Sequence, residues 1–151
     1  MKNFENDFTL ASDFHISILL EMMREFYAHE RFTFHEETAR RALKDILNND
    51  SFGKIYLIKW GDEVVGYIVI TFGYSLEFHG RDAFVDEIFI WEEHRGKGLG
   101  KKALSFAEAV CRWHNIKALH LEVERVNVKA QEVYRKVGFK NHDRYLMTKW
   151  L

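Results

Sequence analysis

Arg95-Gly96-Lys97-Gly98-Leu99-Gly100-Lys101 lies between an apolar run, Ala83 to Trp91, and a stretch with Leu99, Ala103, Phe106, Ala107, Val110 and Trp113 at helical spacing. The order is strand, glycine-rich loop, helix. Glycines at 96, 98 and 100 let the backbone turn tightly and approach a ligand closely. Their amides stand at a helix N-terminus, where unpaired N–H groups and the helix dipole attract anions. Lys97, Lys101 and Lys102 add positive charge there, so a phosphorylated ligand is the natural guest. A P-loop needs G-x-x-x-x-G-K-[ST]; Gly96 to Gly100 is one residue short, and Lys102 stands where a hydroxyl would bind magnesium. A dinucleotide fingerprint, G-x-G-x-x-G, would need its third glycine one position later. Arg95, Gly98 and Gly100 satisfy a third pattern, [RQ]-x-x-G-x-[GA] after a strand. A plain turn with solvated lysines is the alternative, and the loop alone does not separate the two.

Working outward, Phe8 to Ala11 suits a short strand, and Ser12 or Asp13 offers an N-cap. Ile16, Leu19, Met22, Met23 and Phe26 predict an amphipathic helix over about 13–29. Ala39, Ala42, Leu43, Ile46 and Leu47 predict a second, ended by Asn48-Asn49-Asp50. Ile55 to Trp60, the turn pair Gly61-Asp62 and Val64 to Phe72 read as a hairpin, with Gly80-Arg81-Asp82 a loop before the acid-bearing strand Ala83 to Trp91. Beyond the central helix, Ile116 to Val123 reads as a strand. Asn127 caps a helix through Val137, and Gly138 suits a left-handed stop. Phe139 onward predicts a final strand pair, Tyr145 to Trp150 the clearer half. The expected fold class is α/β (α+β): a mixed central sheet with helices on both faces.

Composition narrows the function. The 151 residues suit one domain spanning 1–151, with no proline, no linker and no internal repeat. Lys plus Arg number 22 against 23 acids, a formal charge of -1, which supplies no basic field for general nucleic-acid binding. One cysteine excludes an intrachain disulfide and a cysteine zinc cluster, and fits a reducing compartment. The eight histidines show no metal-ligand spacing, so no metal site is expected. No apolar run is long enough to span a membrane, and Met1 to Asp7 is polar and acidic, unlike a signal peptide. A cytoplasmic location without nucleic-acid or membrane partners is the expectation. Cys111, mid-helix on an apolar stretch, reads as core, and His94 as a solvated turn residue.

Downstream stands Asn127-Val128-Lys129-Ala130-Gln131-Glu132-Val133-Tyr134-Arg135-Lys136-Val137-Gly138-Phe139. It resembles the N-x-x-A-x-x-x-Y-x-x-x-G-F segment of the GNAT N-acetyltransferase superfamily, and the glycine loop resembles that family's acetyl-CoA pyrophosphate loop. The two motifs stand in family order, and the resemblance covers about Ile55 to Phe139. The strand Phe84-Val85-Asp86-Glu87-Ile88-Phe89-Ile90 is similar to that of the spermidine/spermine and diamine N-acetyltransferases, which carry an acidic pair at this distance before the loop. Trp91-Glu92-Glu93 departs from the Pro or small polar residue that often follows this strand.

The resemblance implies a GNAT-like, mostly antiparallel sheet and an acetyl-CoA-dependent N-acetyltransferase acting on a small-molecule amine, with a polyamine or diamine as the specific candidate. It implies an acetyl-CoA site made by Ile88, Phe89, Ile90, Arg95, Gly96, Lys97, Gly98, Leu99, Gly100, Lys101, Asn127 and Tyr134. A homodimer is a family habit that no pattern here assigns to an interface. Acetyl transfer to an amine needs a base, donors for an oxyanion and a proton for the departing thiolate. Asp86 is the first candidate base, favoured by the resemblance, and Glu87 the second. Strand alternation would send the two to opposite faces, and a bulge would reverse the choice. A strand amide within Ile88 to Ile90 is the implied oxyanion donor. Tyr134, one turn beyond Ala130, is the implied acid, with simple packing on Val133 and Val137 as its alternative. Asn127 is either an N-cap, a contact to the pantetheine arm, or both. Tyr74, Glu77, Phe78 and His79 either line the acceptor mouth or form an exposed loop, and Glu122 or Glu124 could hold a cationic acceptor. A protein or peptide acetyltransferase, a non-catalytic acyl-CoA-binding module and a nucleotide-phosphate site are the competing functions.

Overall fold

The computed structural model describes Phe4 and residues 6–151, so most of the polar N-terminal stretch, residues 1–3 and 5, lies outside the described residues. Among the described residues eleven elements follow one another, and the sheet strands run β1 Phe8–Leu10, β2 Gly53–Trp60, β3 Glu63–Ser75, β4 Gly80–Ile90 and β5 Ala118–His120. They pair in chain order, antiparallel from β1 to β4 and parallel between β4 and β5. The helices are α1 Ile16–Glu30, after a 3-10 turn at Asp13–His15, then α2 Glu36–Leu47, α3 Leu99–Trp113 and α4 Val128–Lys136. The mixed, mostly antiparallel sheet expected from the sequence is present, with helices on both faces.

Two apolar layers hold it. On one face Ile58, Val65, Ile68, Ile70, Ala83 and Val85 pack under Leu99, Ala103, Leu104, Ala107, Val110 and Cys111 of α3. On the other, Ile55, Leu57, Tyr67, Val69 and Phe89 meet Ile16, Leu19, Leu20, Met22 and Met23 of α1 and Ala39 and Leu43 of α2. Period-two strands and period-3.6 helices present these stripes, and their burial is the main stabilising contribution. Phe106 stacks on Phe8 at 4.2 Å, tying β1 to α3. Trp113, expected on the inner side of α3, is exposed, because it falls at the helix's last residue, beyond the sheet.

Three expectations are corrected at the sheet's edges. Gly80-Arg81-Asp82 is strand rather than loop: β3 runs on to Ser75, and these residues pair with Gly73 to Ser75. The strand expected over Ile116 to Val123 pairs only at Ala118–His120. The final strand pair does not form: residues 140–151 carry neither helix nor strand, and Tyr145, Leu146, Met147 and Trp150 are exposed. Alternating apolar residues report what a strand could bury, whereas a strand exists only when a neighbour takes its backbone hydrogen bonds. This segment is held instead by side chains, with Arg144 gripping Glu77 through two bonds of 2.9 and 2.6 Å and Arg125 lying over the Tyr145 ring.

Candidate active site

The β3–β4 register breaks once. Val69 pairs with Glu87 and Ile70 with Val85, so Asp86 is an extra residue in β4. A bulge of this kind shifts the phase of the strand. Ala83 and Val85 face α3, and so do Ile88 and Ile90, while Phe89 faces α1. Glu87 shares the face of Phe89: its carboxylate accepts the Tyr27 hydroxyl at 2.5 Å from α1 and the Tyr67 hydroxyl at 2.8 Å from β3. Strict alternation of Asp86 and Glu87 to opposite faces therefore fails, because the chain spends Asp86 on the bulge. Asp86 lines a cavity of about 90 Å³ with Phe84, Val85 and Glu122. Burial pushes both carboxyls above their ordinary range; at Glu87 the two tyrosine hydroxyls act against that shift and the charge of Asp86 adds to it.

The same place opens the sheet. β4 and β5 pair only over Asp82↔Ala118, Ala83↔Leu119 and Phe84↔His120, and no ladder joins them past the bulge. The Trp91 N–H donates to the Val65 carbonyl at 2.9 Å, so alternation turns the N–H groups of Ile88 and Ile90 away from β3, into the gap. The Phe89 N–H is turned to β3. The Ile90 carbonyl accepts Arg95 Nε at 2.8 Å, which fixes the start of the glycine loop to the end of the strand.

In that loop a 3-10 turn, Glu92–His94, leads into Gly96 and Gly98 at φ +75° and +80°, left-handed values that a side chain tolerates poorly. Gly98 is the N-cap of α3. A Cβ built on either glycine would meet no atom within 4 Å, so the space above them is open. The Arg95 N–H donates to the Glu92 carbonyl, and Lys102 N–H starts the helical ladder on the Gly98 carbonyl. Between them the N–H groups of residues 96–101 have no acceptor among the described residues. Lys102 is paired with Asp7 at 2.5 Å. Lys97 leans on the Trp60 ring, and neither it nor Lys101 has an ion-pair partner among the described residues. His94, expected to be solvated, has a largely buried side chain that points Nε2 at Glu63, 3.8 Å away.

α4 brings the last pieces. Asn127 caps it, its side-chain oxygen accepting the Ala130 N–H at 3.1 Å. Tyr134, one turn on, packs edge-on against Phe139 and on the α3-side core. Its hydroxyl has no hydrogen-bond partner among the described residues, and burial, helped by the charge of Glu30 at the end of α1, raises its pKa and keeps it protonated. Glu122, on the chain leaving β5, faces the cavity of Asp86. Tyr74, near the end of β3, is exposed; in the β3–β4 turn Glu77 is taken by Arg144, and the Phe78 ring lies 4.4 Å from His120 of β5. Cys111 is buried in the core, its thiol pushed up to about 11 by burial. Among the described residues no group of three His, Cys, Asp or Glu side chains is placed to hold a metal ion.

A free nest of amides, a split in the sheet and two acids, Asp86 and the half-buried Glu87, thus meet at the end of β4. The sequence model of the acetyltransferase (GNAT) family matches residues 19–139 of this chain. The chain belongs to the GNAT family. An integron cassette protein from the mobile metagenome of Cole Harbour Salt Marsh superimposes with a TM-score of 0.85 at 35% identity, covering 96% of this chain and 90% of that one. A predicted acetyltransferase with acetyl-CoA from Clostridium acetobutylicum shares the fold at TM-score 0.79 and 17% identity, over 95% of both chains. Among curated proteins, the thialysine N-epsilon-acetyltransferase of Bos taurus is 26% identical over 133 residues, 80% of this chain and 75% of that protein. This GNAT protein is therefore an N-acetyltransferase, with acetyl-CoA as its acyl donor. The donor fits the residues present: the unengaged amides of 96–101, the open space over Gly96 and Gly98 and the free lysines suit a diphosphate, and the β4–β5 gap leads from them to the acids.

The glycine loop and Tyr134 were legible from motif spacing. Tyr27 and Tyr67 were not, since they stand 60 and 20 residues from Glu87 and carry no motif.

Proposed function

We propose that this GNAT protein acetylates a primary amine of a small, multiply charged cation, a diamine or polyamine, by direct attack on the thioester. The observation that carries this reading is the set of three carboxylates, Asp86, Glu87 and Glu122, around the point where β4 and β5 separate. A relative named for thialysine, a small amine-bearing molecule, supports the same class.

An alkyl amine has a pKa of about 10.4, so about one molecule in a thousand is neutral at pH 7, a deficit of about 4 kcal/mol. A nearby carboxylate offsets it by accepting the proton. Since the bulge puts Glu87 on the face of α1 and leaves Asp86 in the cavity with Glu122, Glu87 is the base and the other two acids hold the cation. Acetyl-CoA, when bound, supplies an activated acyl carbon. The Ile88 and Ile90 N–H groups, already aimed into the gap, are the donors for charge developing on the acyl oxygen. The residues of the loop 95–101 hold the diphosphate, Asn127 adds to the donor site from the start of α4, and Tyr134 keeps a proton for the departing sulfur.

Thiol release from acetyl-CoA, measured with diamines, polyamines, lysine-like amino acids and a lysine-bearing peptide, tests the reading. Turnover with the small cations is expected. Turnover with the peptide alone would make the protein a peptide acetyltransferase, and CoA binding without turnover for every acceptor would make it an acyl-CoA-binding module.

A further inference from the structure

The Glu87 carboxylate is held at both oxygens. Tyr27 donates to Oε1 from α1, and Tyr67 donates to Oε2 from β3. Neither tyrosine belongs to a motif, and both are fixed by packing. Tyr67 is fully buried in the middle of β3, opposite Phe89. Tyr27 sits among Phe26, Phe32 and Phe34, with ring centroids 5.7, 5.7 and 5.6 Å away, the last two from the α1–α2 connection. The hydroxyls cannot swing off the carboxylate without repacking two layers of the molecule.

We infer that Tyr27 and Tyr67 are positioning residues of the transfer reaction: together they clamp Glu87 so that its free lone pairs point to the acceptor amine. The inference rests on the reading of Glu87 as the base. The clamp joins α1 and β3 to the strand that carries the chemistry. It also sets the proton affinity of the base. The groups facing Glu87 are Tyr27 from α1, Tyr67 from β3 and Asp86 from its own strand. Burial and the Asp86 charge favour the protonated acid, which cannot act as a base, whereas two hydroxyl donors favour the carboxylate. Burial beside Glu87 raises both tyrosine pKa values, so the hydroxyls remain donors throughout the working pH range.

The test uses Tyr27→Phe, Tyr67→Phe and the double variant, and two readouts. The first is the 13C titration of the Glu87 carboxyl in the free protein, assigned by its loss in Glu87→Gln. Loss of one donor should raise its pKa by about one unit, and loss of both by more. The second is the pH profile of kcat/KM with one fixed amine, whose acid limb should move up by the same amount in each variant. An unmoved carboxyl titration in folded variants would overturn the clamp, whatever the kinetics. A moved titration with an unmoved acid limb, or full turnover in Glu87→Gln, would instead show that Glu87 is not the base, and the catalytic role of the tyrosines would fall with it. A drop in rate without any pH shift would reduce both tyrosines to packing.

Discussion

Replacing Gly98 by valine separates backbone strain from ligand binding. Gly98 stands at φ +80°, where a side chain costs about 1–2 kcal/mol, and more if branched at Cβ. A Cβ there meets nothing within 4 Å, so no clash is added. For a chain of this length about 2–4 °C of Tm is lost per kcal/mol, and the variant should melt about 3–8 °C lower but stay folded. Binding is a different matter. The valine methyl groups would occupy the open space beside the loop, the proposed site of the diphosphate. Each charge-assisted hydrogen bond contributes about 1.5–3 kcal/mol, so excluding the diphosphate from two amides should weaken CoA by at least about a hundredfold. Calorimetric titration with CoA beside thermal melting reads both quantities. Gly61→Val is the control: at φ +62° in the β2–β3 turn, and equally open, it carries similar strain and should leave CoA affinity within about threefold. If Gly98→Val melts lower but binds CoA as the parent does, the diphosphate lies elsewhere and the placement of the donor is wrong.

Other outcomes follow from the same geometry. Tyr134→Phe should lower kcat at least tenfold with CoA affinity nearly unchanged, since the hydroxyl has no structural partner among the described residues; equal turnover would leave the ring with a packing role only. Burial raises the Asp86 pKa above its unfolded value, so its favourable contribution is complete below about pH 3.9 and is lost as pH rises through the folded value. Asp86→Asn should therefore melt like the parent near pH 3.5 and above it at pH 7–8; a difference that stays constant across pH would refute the raised pKa of that carboxyl. Cys111, its thiol pushed up to about 11, should resist alkylation at pH 8 until the protein is unfolded, and rapid labelling of the native chain would contradict its place in the core.

Local chemistry was readable along the chain. Asn127 caps α4, Gly138 follows it at φ +101°, and Gly96 and Gly98 adopt left-handed values, each because its requirement lies within a few residues of itself. The helical stripes of α1 and α3 were readable too, since the period that fixes which side chains meet the sheet is a property of one segment. What depended on distant neighbours was not. The bulge at Asp86 arises from fitting β4 against β3 while Ile88 and Ile90 keep their places under α3, and it decides which acid faces α1. The clamp on Glu87 joins residues from three elements, and the split between β4 and β5 exists only where a parallel partner turns away. The apolar alternation of Tyr145 to Trp150 shows the same limit from the other side: its pattern suits a strand, but a strand needs an edge to join, and the edge is supplied by the rest of the fold.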